Sequence, residues 1–140
     1  MRIISPEGNV TTFPAVSDEY IGGGNITLNK NGILYGIDEL KKRIYKIENG
    51  VLKYLSICEI TADGTRVHTT INPVSLAIAN DGTIYFTESF YDKVHDKFDN
   101  SIRKIINEGI VSPLSSGERG FENGNIANAK FNGPGDIQIF

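Results

Sequence analysis

The sequence predicts an all-β protein built from four-stranded antiparallel units, two of them complete and one partial at each terminus. Three observations predict it. Gly supplies 15 of the 140 residues, above the ordinary share of about 7%, and the excess falls at turn-like positions. Short runs rich in Val, Ile, Thr, Tyr and Phe are separated by Asn-Gly and Asp-Gly pairs, the pattern of strands joined by tight hairpins. The same order of runs and turns then returns along the chain.

In chain order, Arg2-Ile3-Ile4 and Val10 to Phe13 read as two strands around Ser5-Pro6-Glu7-Gly8. Pro14 to Glu19 is a connection, and Tyr20 leads to Gly22-Gly23-Gly24 and a strand at Ile26-Thr27-Leu28. Asn31-Gly32 turns into Ile33 to Ile37, Lys41 to Arg43 is a charged turn, and Arg43 to Ile47 is the next strand. Asn49-Gly50 leads to a strand over Val51 to Ile57. Thr61 to Thr70 reads as a polar connection. The series restarts with Val74 to Ala79, Asp81-Gly82 and Thr83 to Thr87, is interrupted by Glu88 to Asn100, and resumes with Ser101 to Ile106, Glu108-Gly109 and Ile110 to Leu114. From Gly117 a further opening follows, ending in a strand over Asp136 to Phe140.

The repeat is measurable. Asn31-Gly32-Ile33-Leu34-Tyr35 aligns with Asp81-Gly82-Thr83-Ile84-Tyr85 at an offset of 50, and Pro73 to Ile78 aligns with Pro134 to Ile139 at 61. Arg2-Ile3-Ile4 aligns with Arg103-Lys104-Ile105 at 101. A period of roughly 40 to 60 residues with four strands per unit is that of β-propeller blades. Both faces of each strand carry apolar side chains, as in sheets sandwiched between sheets. The expected organisation is 1–13 as the end of a blade, 20–57 and 71–114 as blades, and 117–140 as the start of a blade.

Eleven strands are too few to close a propeller, which takes about four blades or more. Open apolar blade faces and edges are liabilities, and covering several hundred Å² is worth on the order of 10 kcal/mol before association costs. A homodimer or higher homo-oligomer is therefore expected, the partial units completing one another.

Composition excludes some classes. The formal charge is −3, and no basic patch suggests nucleic acid as a partner. Cys58 is the single cysteine, which rules out an internal disulfide or a multi-cysteine zinc site within one chain and reads as a partly buried strand thiol. No run of 18 apolar residues predicts a transmembrane segment, and MRIISPEG has no signal-type apolar region.

Three pieces resemble the NHL-repeat β-propeller family, of the type found in bacterial surface and periplasmic proteins. Gly120-Phe121-Glu122-Asn123-Gly124 followed by Ala129-Lys130-Phe131-Asn132-Gly133-Pro134 is similar to that family's blade opening. Asp81 to Glu88 is similar to its D-G-N-L-Y-V-A-D hairpin, and Ser101 to Ile105 to its H-R-I-R-K-I strand. The sequence departs from the pattern at Asn123, at Gly36-Ile37-Asp38, in the first blade's opening, and in the insertion after Glu88. The resemblance implies a non-enzymatic binding or scaffold module for a protein, peptide or glycan. Some related six-bladed propellers are instead metal-dependent hydrolases or lyases, and a truncated structural piece is a third reading. The resemblance also implies a periplasmic or extracellular setting where a leader has been removed, and a cytoplasmic one otherwise.

The insertion ESFYDKVHDKFDN is the main candidate for ligand or partner contact, through Phe90, Tyr91, Asp92, His95, Asp96 and Phe98. Phe90, Val94 and Phe98 recur at helical spacing, although Asp92/Asp96 and Lys93/Lys97 place like charges four apart. The alternative is packing, with the aromatics covering an edge and the charges solvated. Asp92, His95, Asp96 and Asp99 match no metal-ligand spacing, so no metal or other cofactor is expected. Ser89 and Ser101 lie in no nucleophile elbow, no catalytic residue is assigned, and His68 reads as a connection residue. Gly22-Gly23-Gly24 lacks the Lys-Ser/Thr of a phosphate loop and reads as a tight approach to the innermost strand. Asn9 and Asn25 fit glycosylation sequons, relevant only to a eukaryotic secretory protein. Tyr35 and Tyr85 share a repeat position, which favours a packing role over ligand stacking. Asp38 and Glu88 are repeat-equivalent, and for the metal-dependent reading they would have to face a central channel.

Overall fold

The structure is a computed structural model and describes residues 2–12, 21–93, 97–106 and 109–140. The Pro14 to Glu19 connection, Tyr20, the segment Val94, His95 and Asp96, and Glu108 lie outside these. Fourteen strands are described: β1 (Arg2–Ile4), β2 (Val10–Thr12), β3 (Ile26–Leu28), β4 (Leu34–Asp38), β5 (Arg43–Glu48), β6 (Val51–Tyr54), β7 (Cys58–Ile60), β8 (Arg66–His68), β9 (Pro73–Ile78), β10 (Ile84–Glu88), β11 (Phe90–Asp92), β12 (Lys97–Asp99), β13 (Ile102–Ile106) and β14 (Ile110–Pro113). The described residues contain no α-helix.

Two sheets carry the blade pattern. One is the meander β3-β4-β5-β6, and the other contains the meander β9-β10-β13-β14, each pair antiparallel. Their first hairpins use the same turn. The amide of Gly32 donates to the Asn29 carbonyl at 3.0 Å, and that of Gly82 to the Ala79 carbonyl at 2.9 Å. Both glycines hold positive φ, 75° and 90°, a region open to Gly at little cost. The core lies where the two sheets face one another. Ile37 and Ile44 from the first blade pack with Leu76, Ile84, Phe86, Ile105 and Val111 from the second. Ile84, Ile105 and Val111 are successive cross-strand neighbours, so the period of two puts them on one face.

A hydrogen bond links each blade to the next at the same repeat position. Asn25 Oδ1 accepts the amide of Leu76 at 3.3 Å. Fifty positions on, Ser75 Oγ accepts the amide of Ile137 at 3.4 Å and donates to Asp136 Oδ1 at 2.6 Å. Thr87 Oγ1 donates to the Gly135 carbonyl at 2.7 Å, and the Gly133 amide to Asn100 Oδ1 at 2.8 Å. The C-terminal segment therefore lies against the second blade as β9 lies against the first.

Several expectations are corrected. Asp136 to Phe140 is not a strand: it is anchored by side chains, but no described neighbour completes a backbone ladder. Val51 to Ile57 ends as a strand at Tyr54, and the polar stretch beyond it contains the hairpin β7–β8. β7 joins β14 in parallel at Cys58 and Ile110. Exposure of all of β8 explains its polar sequence. The helical spacing of Phe90, Val94 and Phe98 does not give a helix. β11 and β12 pair antiparallel, Phe90 with Asp99, Tyr91 with Phe98 and Asp92 with Lys97. Among the described strands the β1–β2 hairpin pairs with no other, and Ile4 and Val10 are exposed.

The glycine run separates by role. A Cβ on Gly24 would lie 2.5 Å from the Ile37 carbonyl oxygen, whereas one on Gly23 would meet nothing within 4 Å. Gly24→Ala is expected to lower stability by about 1–3 kcal/mol, because backbone must move. Gly23→Ala is expected to stay within about 0.5 kcal/mol. Urea titration of the two variants checks this.

Candidate functional site

Two repeat-equivalent carboxylates end the second strand of each blade. Asp38 and Glu88 are both buried, at 0% and 2% exposure. Each accepts a backbone amide from sixteen residues upstream. Gly22 donates to Asp38 Oδ1 at 3.2 Å, and Asn72 to Glu88 Oε1 at 2.7 Å. The chain thus ties the start of each blade to its second strand through a carboxylate. Both side chains are engaged within their own blades.

Their surroundings differ. Asp38 also accepts the Lys41 amide at 3.1 Å and the Tyr54 hydroxyl at 2.7 Å. Burial pushes its carboxyl up, but the Tyr54 hydroxyl and the Lys41 and Gly22 amides outweigh that and hold it below its ordinary value. Glu88 takes the Ser101 hydroxyl at 3.3 Å and the Arg103 guanidinium at 3.4 Å. Here burial prevails over the Asn72 amide and Arg103, Asp99 adds to it, and the carboxyl is held above its ordinary value. The other arm of the Arg103 guanidinium pairs with Glu59.

Arg103, Glu59, Asp99, Ser101, Ser112 and Ser115 line a cleft of about 420 Å³, with Ile60, Ile110, Val111 and Pro113 as its apolar part. Among the described residues, Asp99 Oδ1 and Ser112 Oγ are buried without a hydrogen-bond partner. Such atoms favour a ligand that brings polar hydrogens. The cleft lies at the base of the β11–β12 hairpin, since Asp99 ends β12. Of the residues read as contacts, Phe90 is half-buried and Tyr91 is exposed. Asp92 and Phe98 lie on the paired strands. His95 and Asp96 lie outside the described residues.

No cluster of three or more His, Cys, Asp or Glu side chains suited to a metal occurs among the described residues. Cys58 is half-buried on β7, His68 is exposed at the end of β8, and Tyr35 packs against the core. Sequence reasoning missed Glu59 and Arg103 as site residues and weighed Ser101 only as a nucleophile. Arg103 carried a signal, because alternation along Ser101 to Ile105 sets its charge on the same face as Ile105.

The fold and cleft define an all-β protein of stacked propeller-type blades with a polar cleft at one hairpin base. No protein-family model matches the sequence, and no curated protein matches it. Among solved structures, the chain is similar to virginiamycin B lyase from Staphylococcus aureus, with 16% identity and a TM-score of 0.40. The match covers 80% of this chain and 47% of that one, so the chain spans about half the length of that protein. No helix among the described residues is long and apolar enough to cross a membrane.

Proposed function

We propose that this chain is a non-enzymatic propeller-type module of the NHL-repeat kind. It binds a protein, peptide or glycan at the cleft and hairpin of the second blade, and a second copy covers its exposed strand edges. The observation that carries the reading is the repeated inter-blade hydrogen bond. The pair Asn25–Leu76 recurs as Ser75–Ile137, so the stacking geometry continues to a third blade position. Ile139 and Phe140 are exposed there, and Ile4 and Val10 are exposed on the β1–β2 hairpin. These edges are complementary in kind, each offering backbone for strand addition and apolar side chains to bury.

Light scattering across a concentration series tests it. The expected result is a species near twice the 15.4 kDa chain mass, which dissociates when Ile4 and Val10 are replaced by Asp. A folded monomer at every concentration would overturn self-completion.

A further inference from the structure

We propose that a second cleft, on the first blade, binds the phosphate or sulfate ester of a small polyhydroxylated molecule. This cleft, of about 390 Å³, is lined by Lys41, Lys42, Arg43, Tyr54, His68 and Thr69 among others. Three consecutive cations thus enter one cleft in a chain whose formal charge is −3.

The cations are held in place. Lys41 Nζ lies 3.1 Å from the Tyr54 hydroxyl and 5.0 Å from the centre of its ring. The Arg43 guanidinium lies 5.6 Å from the same ring. Two like charges therefore share one phenol. The carboxylate beside them, Asp38, is fully buried and already takes two amides and the Tyr54 hydroxyl. No carboxylate pairs with Lys42 or Arg43 among the described residues. Lys42 sits at φ 53°, a left-handed conformation uncommon for a residue with a Cβ and a frequent companion of ligand sites.

A tetrahedral oxyanion satisfies this arrangement, since Arg and Lys donors meet its oxygens in charge-assisted hydrogen bonds. The cleft is much larger than an oxyanion alone. Polar residues, His68, Thr69 and Thr70, line the remaining volume, which suits a hydroxylated body such as a monosaccharide. The site is separate from the cleft of Arg103 and Glu59 and does not depend on its reading.

The test is a titration of the ¹⁵N-labelled full chain at low ionic strength with glucose 6-phosphate, glucose 6-sulfate and glucose, followed by amide chemical shifts. Saturable millimolar binding of either ester, with shifts confined to 41–43, 54–57 and 68–71, is expected, and the stronger arm identifies the ester. Lys42→Glu/Arg43→Glu is expected to weaken it at least about tenfold. The same spectrum reports whether this variant is folded, and Lys42→Gln provides a milder second variant. Equal binding of glucose, shifts spread over the whole surface, or unchanged affinity in the folded double variant would overturn the proposal.

Discussion

Phe86→Ala is expected to remove about 3–5 kcal/mol of stability, the usual cost of emptying a buried aromatic site. Phe86 is 0% exposed. It sits in the middle of β10, in register with Leu76 on one neighbour and Arg103 on the other. Its ring lies in the cluster that joins the two blades, so the cavity would open between sheets rather than at a margin. The net stability of a domain is only about 5–15 kcal/mol, which makes this one side chain a large share of it. Urea denaturation should show a lower midpoint with an unchanged slope. Phe86→Leu should recover most of the loss by keeping most of the volume. Phe121→Ala serves as the control: Phe121 is 88% exposed, and its removal should cost less than about 0.5 kcal/mol. A Phe86→Ala cost below about 1 kcal/mol would mean that the inter-blade contact is not what holds the fold.

The blade pattern was legible because its determinants are local. Gly32 and Gly82 mark the turns, and the alternation in Ile84 to Phe86 marks the faces. Cys58 on β7 read as a strand thiol, but its partner β8 was not legible, because a strand exposed along its length carries no buried face to read. The C-terminal segment shows the reverse case. Asp136 to Phe140 has strand composition, yet a strand is a paired object, and propensity cannot supply the partner. For the insertion, helical spacing competed with like-charge repulsion and strand-favouring aromatics, and the antiparallel pairing of β11 with β12 resolves the conflict. The second-blade cleft was half visible. Glu88 stood out by its repeat position, but Glu59 reaches Arg103 only because β7 adds to β14, a pairing that sequence distance conceals.

Replacing either repeat-equivalent carboxylate should be costly, and the two losses should depend on pH in opposite directions. Asp38→Ala leaves the Gly22 and Lys41 amides and the Tyr54 hydroxyl without their acceptor. Glu88→Ala does the same to the Asn72 amide and the Ser101 hydroxyl, and leaves Arg103 with Glu59 alone. Each is expected to cost about 3 kcal/mol, the scale for breaking a buried charged pair or orphaning several buried donors. The folded state holds the Asp38 carboxyl below its ordinary 3.8. Its ionised form therefore stabilises the fold above that pH, and this contribution disappears as pH falls through the lower folded value. The Glu88 carboxyl is held above its ordinary 4.5. Its contribution is complete below 4.5 and declines as pH rises through the folded value, where burial opposes ionisation. The deficit of Asp38→Ala relative to the parent should therefore shrink towards acid pH, and that of Glu88→Ala should grow. Denaturation midpoints at closely spaced pH values for the parent and both variants give the two difference curves. Parallel curves would show that the blades place their equivalent carboxylates in like surroundings. Diverging curves would establish that one repeat position has been put to two electrostatic uses: a carboxyl whose ionised form the fold favours, beside Lys41, and one whose ionisation burial opposes, beneath the Arg103 cleft.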